Sequence, residues 1–175
     1  MNKVKGTDGL DFINIGPGAT TQLGKLLNLS TESWFTTPHG RCLTLIGYHY
    51  FNQLNCYLRA LDTEPPIQPI LQDLLTADHK RCKNLYLAGM SMITTQLGKP
   101  VEEVFYPAEW QIPSIYARLC MHPSPIYGFY ATNVPIVWLD SHGYDAGQQR
   151  PGIRRYVETI MRVKNEHNTV SLSNA

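Results

Sequence analysis

The chain has 175 residues, a formal net charge of +1 at pH 7, hydrophobic residues at 43% and charged residues at 17%. Such a length buries a core without metal or disulfide staples, and the apolar fraction excludes a disordered chain. So small a net charge supplies no field for non-specific attraction to nucleic acid or to a membrane surface, and neither is expected as a partner.

In chain order, Phe12 to Ile15 (FINI) reads as a short strand, and the GPGATT that follows reads as a turn with Thr20 or Thr21 capping a helix through Leu29. From Thr44 to Leu61 the apolar positions Leu45, Tyr48, Phe51, Leu54, Leu58 and Leu61 recur at three and four, the helical period, with Thr44 as candidate N-cap. After Pro65 and Pro66, residues Ile67, Ile70, Leu71, Leu74 and Leu75 form one apolar helical face. A further helix is expected over Asp78 to Leu97, and a short one over Ser114 to Met121 entered from Pro113. Ile126 to Leu139, rich in Tyr, Phe, Val, Ile and Trp, reads as two short strands or one bent at Pro135. Arg154 to Val163 fits strand or helix, and residues 165–175 read as a flexible polar tail. The expected fold class is α+β, a mainly helical single domain over residues 1–164 with a few short strands.

The N-terminal MNKVKGTDGLDF has no apolar core of signal-peptide length, and no apolar run approaches the length of a membrane span, so the expected location is the cytoplasm. Cys42, Cys56, Cys82 and Cys120 form no C-x-x-C pair and are expected as reduced, mostly buried thiols. The six histidines contain no H-x-x-x-H pair, so no metal is expected. There is no G-x-S-x-G, and Cys120 is too close to His122 in sequence to suggest a catalytic dyad.

The hexapeptide Thr-Thr-Gln-Leu-Gly-Lys occurs at 20–25 and again at 94–99, with flanks that do not match. It is read as coincidence or as a shared helix-ending device with a left-handed glycine. The first copy is not a phosphate loop: five residues separate Gly18 from Gly24, and Leu26 stands where a Mg²⁺-binding hydroxyl is needed.

The most informative stretch runs from Leu26 to Asn52, LLNLSTESWFTTPHGRCLTLIGYHYFN. A Leu-Leu-Asn-Leu run leads to the aromatic pair Trp34-Phe35, a turn around Pro38 and Gly40, and a tyrosine-rich helical segment. This order resembles the signature of the NADAR family of N-glycosidases, which act on ADP-ribose-type and ribosylaminopyrimidine compounds. The family pattern runs roughly L-S-N-F, then a glycine, then F-x-S-x-E-x-Y-Y. Residues 104–121 (VFYPAEWQIPSIYARLCM) resemble its second block, and Thr132 to Trp138 loosely resemble its T-G-D-x-x-L-V-E strand. The match spans roughly residues 13–145.

The resemblance implies a NADAR-like fold and a nucleotide pocket built from Asn28, Arg41, Tyr48, His49, Trp110, Arg118, Asn133 and Asp140. Six of them also have a plainer reading: Asn28 as a helix C-cap or turn asparagine, Arg41 as a solvated turn charge, Tyr48 and Trp110 as core. For His49 it is a partly buried side chain, and for Arg118 a surface arginine. Ile46 stands at the family's glutamate position. Cleaving an N-glycosidic bond takes a carboxylate near the anomeric carbon, and isoleucine cannot supply one. No catalytic residue and no cofactor are therefore assigned. The expectation is a protein that sequesters an ADP-ribose-derived or related nucleotide without cutting it. A viral or prophage protein that counters a NAD-derived host immune signal, in the host cytoplasm, is one such setting. An active N-glycosidase using Asp140, Asp145 or Glu109, and a protein-interaction module presenting tyrosines, are the alternatives. A homo-oligomer is left open.

Overall fold

The computed structural model describes residues 3–59, 61, 65–98 and 108–173. Among these residues the fold is α+β and mainly helical, with seven α-helices and four short strands. The residues group into two compact units, one of Met1–Asn28 and Gln111–Ala175, the other of Leu29–Trp110.

In the first unit, β1 (Ile13–Asn14) pairs in parallel with β4 (Ile136–Val137), Ile13 opposite Ile136 and Asn14 opposite Val137. The buried Asn14 side chain ties this pair together. Its Oδ1 accepts from Gly16 N at 2.8 Å and from Leu139 N at 3.1 Å. Asp8 braces the same strand by accepting from Asn14 N at 2.8 Å and from Thr20 N at 2.7 Å. Burial opposes the charge on Asp8, but these hydrogen bonds outweigh it and hold the carboxyl below its usual range.

Helix α1 (Gln22–Leu27) starts as the sequence suggests, with Thr21 accepting from Gly24 N at 2.9 Å, and ends at the cap residue Asn28. It packs on β1 and on α6. A Cβ on Gly24 would stand 2.1 Å from the Asn14 carbonyl oxygen, so this close approach to β1 needs glycine.

Two expectations fail in this unit. Residues 123–131 form helix α6 (Pro123–Ala131), not strand. Pro123 and Pro125 fix φ in the helical range within the first turn, where their missing N–H groups cost nothing. That local constraint, with Phe129 fully buried on the helix face, overrides the β-propensity of the aromatic residues. Only Ile136–Val137, just past Pro135, remains strand. Helix α5 (Ala108–Cys120) begins ahead of Pro113, which lies inside it rather than at its start.

The ambiguous C-terminal segment is helix α7 (Pro151–Ser173), running past residue 165. Tyr156, Ile160 and Val163 are buried at helical spacing, and α7 packs on α6, β4 and the 3₁₀ turn Ala146–Gln148.

In the second unit, β2 (Phe35–Thr37) and β3 (Gly40–Cys42) form an antiparallel hairpin around Pro38 and His39. Helices α2 (Leu45–Leu58), α3 (Gln68–Thr76) and α4 (His79–Leu97) pack together beside it. Thr44 caps α2, accepting from Gly47 N at 3.1 Å, and Asp78 caps α4, accepting from Arg81 N at 2.8 Å. Leu45, Leu54, Ile67, Leu74 and Ile93 form the dry centre of this unit.

Candidate functional site

Residues Phe51, Asn52, Asn55, Cys56 and Arg59 follow one another at i, i+1, i+4, i+5 and i+8, which places them on one stripe of α2 and its C-cap. The opposite stripe is buried against α3 and α4, so this one is left to the hairpin side. Together with His39 from the hairpin turn, these residues line a cavity of about 160 Å³.

The hairpin holds His39 in place by local bonds. Thr37 Oγ1 donates to Gly40 O at 2.9 Å and accepts from His39 N at 3.2 Å. The imidazole then lies on Phe51, ring centroids 4.8 Å apart. Phe51 is backed by Tyr48 at 6.1 Å in a parallel stack, and Tyr48 by Phe35 edge-on at 6.3 Å. Four rings therefore form an aromatic wall, of which His39 and Phe51 line the cavity.

The polar side of the cavity is rich in donors. Asn52 spends one amide proton on Tyr48 O at 2.8 Å. Among the described residues the Asn55 carboxamide and the Arg59 guanidinium take no hydrogen-bond partner. The described lining contains no carboxylate. An aromatic face, two amides and a planar guanidinium suit an anionic ligand with a flat ring.

None of the eight residues expected from the sequence is among the described residues that line this cavity. In the second unit, Arg41 lies on β3 with its guanidinium 4.9 Å from the Trp34 ring centroid, a cation–π pair at the surface. Tyr48 is the buried second ring of the wall. His49 is 1% exposed, and burial pushes its pKa down to about 3, so it is neutral in the fold. The side chains of Trp110 and of Glu109 lie outside the described residues. Ile46 is half-buried in the first turn of α2, its N–H donating to Leu29 O at 2.9 Å. It lies about 140° around the helix from Phe51, away from the cavity stripe.

In the first unit the structure brings Asn28 and Arg118 together. Asn28 caps α1 with its Nδ2 donating to Ile15 O at 2.9 Å, and its own carbonyl accepts from Arg118 Nη1 at 3.4 Å. Arg118 is 1% exposed, far from a surface arginine. Desolvation lowers its pKa to about 10, with Tyr156 acting in the opposite sense. Tyr156 donates to Leu27 O at 2.6 Å, so Arg118 and Tyr156 both close the C-terminal end of α1, where the helix dipole favours positive charge. Asn133 is exposed after α6. Asp140 accepts from Tyr144 N at 3.0 Å and His142 N at 2.8 Å, and these bonds hold its carboxyl below the usual range.

No protein-family model matches the chain, and no curated protein or solved structure does either. Among the described residues, no group of three or more His, Cys, Asp or Glu is placed to hold a metal ion, and no helix is long and apolar enough to cross a membrane.

Proposed function

We propose that the protein binds a nucleotide of the ADP-ribose class at the α2 cavity and holds it without cleaving it. The observation that carries this reading is the convergence of the His39–Phe51 stacked face with Asn52, Asn55 and Arg59 in one cavity. Aromatic rings accept a base by stacking, amides read its edge, and an arginine fork holds phosphate oxygens. A volume of about 160 Å³ takes one ring or one phosphorylated sugar end, with the rest of the ligand lying along the open stripe of α2.

The donor set of the described lining supports retention rather than turnover. His39 could move a proton, but the described lining offers no acid to support an oxocarbenium-like centre. Asp140, one of the substitutes suggested by the sequence, belongs to the first unit and accepts from two backbone N–H groups of its own loop. The role we assign is sequestration of a nucleotide signal, such as one made by a NAD-consuming host enzyme and captured by a viral or prophage protein. Calorimetry with ADP-ribose and cyclic ADP-ribose isomers, followed by heat release and chromatography, tests it. Intact ligand recovered at stoichiometric yield supports the reading; absence of binding, or recovery of a cleaved product, overturns it.

A further inference from the structure

A second cavity, of about 160 Å³, lies within the first unit, where β4 meets the Ala146–Gln148 turn and α7. Its apolar walls are Ile136, Val137 and Val157, and its charged groups are Asp145, Glu158 and Arg154. We propose that this cavity binds a small aliphatic amino acid in its zwitterionic form.

Three charged groups share this cavity without pairing with one another among the described residues. Arg154 and Glu158 are spaced i, i+4 on α7, the spacing at which a helix surface pair normally closes. Arg154 instead turns to the backbone: its Nε donates to Gly147 O at 3.1 Å and its Nη2 to Gln148 O at 3.4 Å. Its Nη1 is left over. Glu158 takes no hydrogen bond or ion pair among the described residues. Asp145 uses Oδ1 to accept from Gly147 N at 2.9 Å, which fixes the carboxylate and leaves Oδ2.

A guanidinium held rigid by two carbonyls, two carboxylates and three branched apolar side chains is a complement to one kind of small molecule. The ligand's carboxylate meets Arg154 Nη1, its ammonium meets Glu158 and Asp145, and its branched side chain rests on Ile136, Val137 and Val157. The volume equals about five waters of liquid, well below the space a drug-sized ligand needs, and so restricts the ligand to a single small amino acid. All the residues that line this cavity belong to the first unit, and leucine binding there does not depend on nucleotide binding.

The test is calorimetry with L-leucine, with isopentylamine, which lacks the carboxylate, and with 4-methylpentanoate, which lacks the ammonium. The expected result is saturable binding of leucine at about 1 mM or tighter, with both single-charge analogues at least about tenfold weaker. Glu158→Gln, an exposed and isosteric change, is expected to weaken leucine by about tenfold while leaving the melting temperature in place. Three results overturn the proposal: no saturable binding of leucine, an amine that binds as tightly as leucine, or leucine affinity unchanged in Glu158→Gln.

Discussion

His39, at the turn of the hairpin, lies against Phe51, on α2, with ring centroids 4.8 Å apart. This contact joins two segments of different secondary structure and sets one wall of the α2 cavity. If the wall stacks a base, removing its outer ring weakens binding without disturbing the core, because His39 is exposed while Phe51 is 5% exposed. His39→Ala is expected to reduce ADP-ribose affinity by about fivefold, the scale of one lost ring contact. Arg59→Gln is expected to cost about tenfold or more, as a charge-assisted hydrogen bond is lost. Tyr48→Phe keeps the buried ring and is expected to bind normally. Calorimetry on the three variants checks this ordering.

The repeated hexapeptide offers a test in which one residue type fails for two reasons. Gly24 lies inside α1, where an added Cβ would stand 2.1 Å from Asn14 O. Gly24→Ala is expected to cost at least about 2 kcal/mol, despite the better helix propensity of alanine, since backbone must move. Gly98 ends α4 at φ 65°, with open space around it. Gly98→Ala is expected to cost only about 1 kcal/mol, and Gly98→Asn less, because asparagine tolerates the left-handed region. Urea unfolding of the three variants reads the difference.

The same comparison shows how far the sequence reaches. Helix ends were legible where a short-range bond makes them: Thr21, Thr44 and Asp78 each accept from an N–H three residues on, a pattern visible in the chain itself. The two glycines were not distinguishable, because Gly24 answers to Asn14 across space while Gly98 answers to its own backbone angle. The aromatic run in α6 misled for a related reason, since β-propensity is a statement about packing that two prolines pre-empt. Half of the cavity lining, His39, Phe51 and Asn52, falls within the stretch Leu26–Asn52, but the cavity itself was not legible, because it needs His39 folded onto the face of α2 that also carries Asn55, Cys56 and Arg59. Arg118 was singled out as a ligand residue, but its burial against α1 left no local mark: its partner carbonyl on Asn28 is 90 residues away.

His49 makes stability depend on pH. Burial lowers its pKa from the usual 6.5 to about 3, so the folded chain holds it neutral while the unfolded chain protonates it. Between those values the unfolded state binds the extra proton, so stability falls as pH drops below about 6.5 and goes on falling towards about 3. At pH 5 the loss relative to pH 8 is expected to be about 2 kcal/mol. Asp8, Asp78 and Asp140, held below the usual 3.8, contribute their own loss only at lower pH. Denaturant midpoints at pH 8 and pH 5 are expected to differ in the parent chain and to converge in His49→Gln.

The four cysteines provide a probe of the α2 cavity that needs no substitution. Cys42 is buried and its thiol is pushed up to about 11 by that burial, partly offset by a hydrogen bond with Thr37. Cys82 is buried too, and burial raises its thiol. Neither is expected to react with a disulfide reagent before unfolding, because the thiolate is the reactive form. Cys120 is exposed and is expected to react at once. Cys56, half-buried in the cavity lining, is expected to react at an intermediate rate. Saturating ADP-ribose, at about ten times its Kd, is then expected to slow Cys56 about tenfold by occupancy and to leave Cys120 unchanged. Mass mapping of the labelled peptides assigns each rate; equal labelling of Cys56 with and without ligand would place the nucleotide elsewhere, whatever the calorimetry shows.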